Sequence, residues 1–322
     1  PKYLDKIYNY EKIKNVTNLL RSNKEFFTDE EKELQKVCRD FAQNELAPYA
    51  QEHDEKETFN LKAFKKMGEL GLLGITADPK YGGSGLGATA ATIVMEEFGA
   101  VCASSTLSYL AHSILCVNNI QQNGSEEQKE KYLPKLISGE HIGCMGMSEP
   151  ENGSDAVGIQ TKAQQVGDEY EINGTKMWIT NAQYSDIAYI YTRTGPEKKN
   201  LTTFILDKNN NEFTVGKPIH KMGMRASPTG ELIFDKSRVP LNSRVGNEGD
   251  STYHMMKNLE IEHQPSWDYL GRLDPKGEEQ VKGGTRIASN LRWVEKNGMF
   301  KWKFDATVKR SVNDDQFVLV DP

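Results

Sequence analysis

Residues 168–182 read DEYEINGTKMWITNA, and their reading decides the fold. Asn173-Gly174 stands between two short β-prone runs, the pattern of a hairpin turn. Further strand-like runs follow as IAYIYTRT (187–194), LTTFILDK (201–208) and TGELIFDKSRVP (229–240). From about residue 141, then, the chain reads as a block of antiparallel strands.

Upstream of that block the hydrophobic period is helical. Thr28 and Glu31 form a T-x-x-E capping box, and Leu34, Val37, Cys38, Phe41, Ala42 and Leu46 follow at helical spacing. Pro48 is expected to bend or end that helix. Phe64, Met67, Leu70 and Leu73 mark a second helix, interrupted by Gly71 and Gly74. Residues 88–100 and 104–121 read as two apolar helices, and Ser125 opens another with acids in its first turn. Residues 251–263 turn helical again. Helices followed by strands predict an α+β chain with a separate antiparallel β domain. The expected divisions are an extension at 1–27, a helical domain at 28–140, a barrel-like β domain at 141–250, the start of a helical domain at 251–263, and an atypical segment at 264–322.

Composition narrows the function. The 322 residues carry 27% charged and 37% hydrophobic side chains, with a net charge of −6. That balance fits a folded chain and weighs against nucleic acid as the main partner, because phosphate binding needs a basic surface. No apolar run approaches the ~20 residues that cross a bilayer. Residues 1–25 lack the apolar block of a secretory signal and mix Lys with Asp5 and Glu11, so they read neither as a leader nor against a transit-peptide remnant. The four cysteines (Cys38, Cys102, Cys116 and Cys144) form no CxxC pair and no cluster with His. They are expected to be small buried residues, and no metal is expected.

Three motifs invite chemistry. The glycine loop at 82–87 fails as a dinucleotide fingerprint, since a helix rather than a strand precedes it and its third glycine falls one residue early. A flexible connection between helices is the expectation there. The stretch MGMSEPENGSD (145–155) is polar and turn-rich. Its small residues allow close backbone approach to a ligand, while Ser148 and Ser154 add hydroxyls. Trp178-Ile179-Thr180-Asn181 ends a strand, where an indole can lie on a flat aromatic cofactor and a hydroxyl can donate to it. Either motif alone is weak; the two in this order are stronger.

The stretches MSEPENGSD (147–155), KMWITNA (176–182) and KMGMRASPTGELIFDKSRVP (221–240) resemble the signature segments of the acyl-CoA dehydrogenase family. DEEKELQKVCRDFAQNELAPYAQEHD (29–54), YGGSGLG (81–87) and NGSEEQKEKYLPKLISGEHIG (123–143) agree with it. The resemblance covers about 28–263 and is strongest to the isovaleryl-CoA branch. It implies helices, then a middle β domain, then a helical bundle, of which the last is incomplete or replaced here. It implies FAD, cradled by Met145, Gly146, Met147, Ser148, Glu149, Pro150, Glu151, Asn152, Gly153 and Ser154, and covered by Trp178, Ile179 and Thr180. Ser154 would also meet substrate. Arg225 matches a family position and is expected only to pair with a carboxylate.

The implied reaction removes a proton beside a thioester and a hydride from the next carbon. The site must stabilise an enolate-like oxygen and dry its carboxylate base so that its pKa rises. In the isovaleryl branch that base lies on the first helix after the β domain, and the matching stretch is Leu259-Glu260-Ile261-Glu262-His263. Glu262 falls on the base, with Tyr253, Glu260, Ile261 and His263 on substrate-contacting positions. Pro265 would place Glu262 in a last helical turn. The implied substrate is a short branched acyl-CoA, isovaleryl-CoA foremost in leucine breakdown, with another short or branched acyl-CoA, or a non-catalytic binding role, as alternatives. The implied partners are electron-transfer flavoprotein and further copies of the chain in a homotetramer. The implied location is the mitochondrial matrix, or the cytoplasm for a bacterial source. Residues 264–322 depart from the family and read as β-prone, with Asn297-Gly298 as a hairpin signal.

Overall fold

The computed structural model describes residues 27–197, 200–210, 212–252, 254, 289–296 and 299–306. Helix α1 (Asp29–Phe41) starts on the expected capping box: Glu31 N–H donates to Thr28 Oγ1 at 3.2 Å, and Thr28 N–H donates to the Glu31 carboxylate at 2.7 Å. Pro48 does not end this helix. A π-helical turn at Ala42–Leu46 precedes it and leads into α2 (Ala47–Lys56). The wider turn includes Asn44, the residue four before Pro48, and so relieves the clash a proline ring makes in a regular helix.

Helices α3 (Leu61–Glu69), α4 (Ala88–Gly99) and α5 (Ala103–Tyr109) follow. Helix α5 continues through a second π-helical stretch, Leu110–Val117, into α6 (Asn118–Asn123), and α7 spans Glu126–Ile137. The apolar stripes meet in one core around Cys38, Phe41, Phe64, Leu73, Val94, Phe98 and Tyr109. A buried phenylalanine such as Phe64 or Phe98 contributes about 2–3 kcal/mol by leaving water. All four cysteines are unpaired and buried, as expected of small apolar residues.

The β domain is an eight-stranded sheet in the order β6-β7-β3-β2-β4-β5-β8, with β1 beside β4. The strands are β1 (Gly143–Gly146), β2 (Lys162–Val166), β3 (Glu169–Thr180), β4 (Ile187–Arg193), β5 (Leu201–Asp207), β6 (Thr214–Val215), β7 (Thr229–Pro240) and β8 (Arg244–Val245). Pairing is antiparallel except for β1 with β4 and the single β2–β4 pair. The core of the sheet is Tyr170, Ile172, Ile190, Phe204, Leu206, Leu232 and Phe234.

Asn173-Gly174 is not a turn. Strand β3 runs straight through it, and the turn between β2 and β3 is Gly167-Asp168, with Val166 opposite Glu169. At Gly174 the pairing with β7 slips by a bulge. Gly174 has φ 144°, and a Cβ there would stand 2.7 Å from Thr161 Cα. Asn173 Oδ1 accepts from Lys236 N–H at 2.9 Å across the bulge. The glycine is required by close approach and backbone angle, the two needs it also meets in a hairpin.

Residues 251–322 form a separate unit. In it β9 (Ser289–Lys296) and β10 (Met299–Ala306) pair antiparallel, Lys296 opposite Met299, as the Asn297-Gly298 signal predicts.

Helices and sheet join at His112, in the second π-helical stretch. Its Nδ1 accepts from Gly143 N–H at 2.9 Å, which leaves the proton on Nε2, and that nitrogen donates to Leu136 O at 3.0 Å. The ring is fully buried, and burial pushes its pKa down to about 4 from an ordinary 6.5. The folded chain therefore holds it neutral while the unfolded chain protonates it below 6.5. Stability from this group is complete above 6.5 and falls as pH drops toward 4, by about 3 kcal/mol. Urea midpoints measured from pH 7 to 4 will show that decline, and His112→Gln will flatten its upper part between 6.5 and 5.

Candidate functional site

The site is built where the loop after β1 lies against the end of β3. Ser148 O accepts from Met177 N–H at 2.9 Å, and Met147 O accepts from the Lys176 ammonium at 3.2 Å. The two stretches singled out in the sequence are thus neighbours in space. Met145, Met147, Ser148 and Thr180 are half-buried, Gly146 and Ile179 are buried, and Pro150, Glu151, Gly153 and Ser154 are exposed with Asn152 half-buried between them. A side chain at Gly153 would meet nothing within 4 Å, so the tip of the loop is open to solvent.

Trp178 is 58% exposed and has φ 64°. A left-handed backbone costs a non-glycine residue about 1–2 kcal/mol, and an exposed indole returns little of that by burial. The cause is a second bulge in β3, where pairing with β7 slips between Lys176 and Ile179. The bulge keeps Lys176 and Ile179 facing inward and turns the indole out beside the loop. Strain of this kind at an exposed aromatic marks a ligand surface. A flat aromatic ring over the indole, its edge toward Thr180 and the backbone of Met147–Ser148, fits these residues.

Glu149 is placed differently from its neighbours. Its side chain is buried and faces Lys176 Nζ at 2.8 Å. It also accepts from Thr161 N–H at 2.8 Å and from Gln160 N–H. Burial pushes the Glu149 pKa upward, but the Lys176 charge and hydrogen bond, with Thr161 and Gln160, outweigh it and hold the carboxyl below its ordinary value. Burial pushes the Lys176 ammonium down to about 8 against the pull of Glu149. At neutral pH both are ionised. The Glu149 backbone is occupied too, since its N–H donates to Asn152 O at 2.8 Å and its carbonyl accepts from Asn152 N–H at 3.2 Å, so Glu149 shapes the loop rather than facing a ligand.

Asn181, which closes the same motif, has φ 70° and is fully buried. Its amide donates to Ser108 O at 2.9 Å and to Gly143 O at 3.3 Å, tying the end of β3 to α5 and β1. Sequence reasoning passed over it as a motif terminus; tolerance of asparagine for the left-handed region was the available signal.

The amides of the glycine loop are already used. Gly83, Ser84, Gly85 and Leu86 donate their N–H groups to Asp78, Gly74, Ala77 and Ile75 carbonyls, so these amides are not free to cradle a phosphate. Arg225 pairs with a carboxylate as expected. Its Nη2 lies 2.6 Å from Glu57 Oε1, and its backbone N–H donates to Asp54 at 2.8 Å, which fastens the β6–β7 connection to the end of α2. Tyr253, Glu260, Ile261, Glu262 and His263 lie outside the described residues. Among the described residues no group of His, Cys, Asp and Glu is arranged to hold a metal ion, and no helix is long and apolar enough to cross a membrane.

Residues 28–140 match the acyl-CoA dehydrogenase N-terminal domain and residues 144–237 the middle domain. The chain belongs to the acyl-CoA dehydrogenase family. It is 45% identical over 241 residues to mitochondrial isovaleryl-CoA dehydrogenase of Pongo abelii, covering 73% of this chain and 57% of that protein. It therefore spans little more than half the length of that relative. Butyryl-CoA dehydrogenase of Megasphaera elsdenii superposes with a TM-score of 0.69 at 35% identity, over 72% of this chain and 62% of that one. A glutaryl-CoA dehydrogenase of Mycobacterium smegmatis in complex with FADH2 superposes with a TM-score of 0.69 at 29% identity, over 74% and 61%.

Asn181 supplies a test of the frame that holds the site. Asn181→Gly keeps the left-handed backbone but removes the amide that donates to the Ser108 and Gly143 carbonyls, at an expected cost of about 2 kcal/mol. Asn181→Ala adds left-handed strain and costs about 3–4 kcal/mol. Chemical denaturation of both variants will separate the two contributions.

Proposed function

We propose that the chain is part of a flavin-dependent dehydrogenase that introduces a double bond between the α and β carbons of a short branched acyl-CoA, with isovaleryl-CoA as the preferred substrate. The observation that carries this reading is Trp178, held outward by a strained bulge beside the Met147–Ser154 loop. An indole held outward at that cost suits stacking by a flat ring.

FAD is the cofactor this surface suits. The Met145–Ser154 stretch would hold it through the Ser148 hydroxyl and through loop N–H groups other than those of Glu149 and Asn152, which are bonded to each other's carbonyls, with Trp178, Ile179 and Thr180 along one face and edge. When bound, the flavin supplies an acceptor for the β-hydride. Ser154, exposed in the loop, would meet the CoA portion of a substrate. Glu262 is the proposed base for the α-proton, in a site that must also stabilise charge developing on the thioester oxygen. Tyr253, Glu260, Ile261 and His263 would line the acyl end. The isovaleryl preference is supported by the 45% identity to the Pongo abelii enzyme and by the match of Leu259–His263 to that branch. Electron-transfer flavoprotein as reoxidant, a homotetrameric assembly and a mitochondrial matrix location belong to the same reading.

The purified chain, supplied with FAD, is expected to show a flavin band at about 450 nm that bleaches anaerobically with isovaleryl-CoA. Glu262→Gln will keep the band and abolish the bleaching. Bleaching only by other acyl chains would move the substrate assignment, and a colourless protein would end the flavin reading. Trp178→Ala is expected to weaken FAD binding about tenfold, as loss of an aromatic stack worth about 1–1.5 kcal/mol predicts.

A further inference from the structure

The loop that would carry the flavin makes a long excursion between β1 and β2, and its neck is closed by a single carboxylate. Glu149 opens the excursion; Gln160 and Thr161 end it, just before β2 begins at Lys162. Both of those backbone N–H groups donate to the Glu149 side chain. On its other side the carboxylate meets the Lys176 ammonium, which also donates to Met147 O. Inside the excursion Glu149 and Asn152 exchange two backbone bonds, at 2.8 and 3.2 Å. The closing arm has a second clamp, as Arg193 donates to Val157 O and Ile159 O at 2.6 and 2.9 Å. Residues 150–157, by contrast, are exposed or half-buried throughout.

We propose that the Glu149–Lys176 pair is the positioning device of the flavin loop, fixing both arms of the 147–161 excursion to β3 without itself touching cofactor. The inference deepens the flavin reading above and rests on it. Lys176 is one residue from Met177, whose N–H holds Ser148 O, and two from Trp178. The Lys176 side chain and that backbone bond together hold the start of the loop against the strand that carries the indole. A buried hydrophobic pair would fill the same space but would offer Gln160 and Thr161 no acceptor. The role needs the oxygens as well as the volume.

A merely structural ion pair and a positioning device respond differently to substitution. Glu149→Gln removes the charge that balances a buried ammonium and turns an amide NH2 toward one of the two N–H donors at the neck. The single variant is expected to melt lower, to exchange the amides of 150–161 about tenfold faster or more, and to bind FAD about tenfold more weakly. The double variant Glu149→Gln/Lys176→Met removes the unbalanced charge but leaves donor facing donor. Its melting temperature is expected to recover toward the wild type, since removal of a whole buried pair costs far less than removal of one member. Its loop exchange and weak FAD binding are expected to stay. Recovery of FAD affinity together with melting temperature would overturn the proposal. So would wild-type amides at Gln160 and Thr161 that exchange as fast as those of 151–153, a measurement that needs no variant. A wild type that takes up no FAD sinks the flavin reading instead, and the exchange result still decides whether the pair holds the loop.

Discussion

Gly143 is the point on which the two halves of the molecule turn. As the first residue of β1 it enters the seam between helices and sheet, where neither of its backbone polar groups reaches water. Its N–H is taken by His112 Nδ1 and its carbonyl by the Asn181 amide. There is no room for a side chain, because a Cβ would stand 2.6 Å from Cys116 Sγ. The helices reach the sheet through His112, and the end of β3 reaches the helices through Asn181. A buried peptide group left without partners costs about 1–3 kcal/mol for each atom, so this one residue obliges two distant side chains to converge. Once they do, β1 is fixed beside β4, and the loop that leaves β1 departs from a defined place.

That fixed departure makes the rest of the site intelligible. The loop after Gly146 doubles back on β3 through Ser148 and Met147, while β3 carries two bulges along its length. The first, at Gly174, lets the strand pass close to Thr161 at the far end of the same loop. The second, between Lys176 and Ile179, sends Trp178 outward. Both faults in the strand serve the loop that leans on it, an economy common where a sheet carries a binding surface. The buried charge at Glu149 fits the same account. Stability alone would favour an apolar pair there, but only a carboxylate accepts from two backbone amides and an ammonium together.

Much of the helical half was legible in advance, because its signals are local. The Thr28–Glu31 box, the stripe from Leu34 to Leu46 and the start at Ser125 need only neighbours within a turn or two. Pro48 was legible as a disturbance, but its form, a π-helical turn before the proline rather than an end of the helix, has no sequence signature. Asn173-Gly174 misled for a related reason. Glycine there answers to Thr161, a dozen residues away, and the same dipeptide at 297–298 joins two strands that do pair as a hairpin. In the site, the order of the Met145–Asp155 and Trp178–Asn181 motifs carried the family resemblance. No pattern announced that Glu149 would face inward while Pro150 to Ser154 faced out.

The sequence by itself determined the main helices of residues 28–140 and the longer strands after them, that the cysteines would be buried, and to which family the motifs belong. Each follows from local periodicity, side-chain polarity or an ordered set of short motifs. Only the tertiary structure decided the left-handed backbone of Trp178, the burial of the Glu149–Lys176 pair and the convergence of His112 and Asn181 on Gly143. Those depend on which groups are shut away from water together, and desolvation is a property of the packed molecule rather than of any stretch of chain.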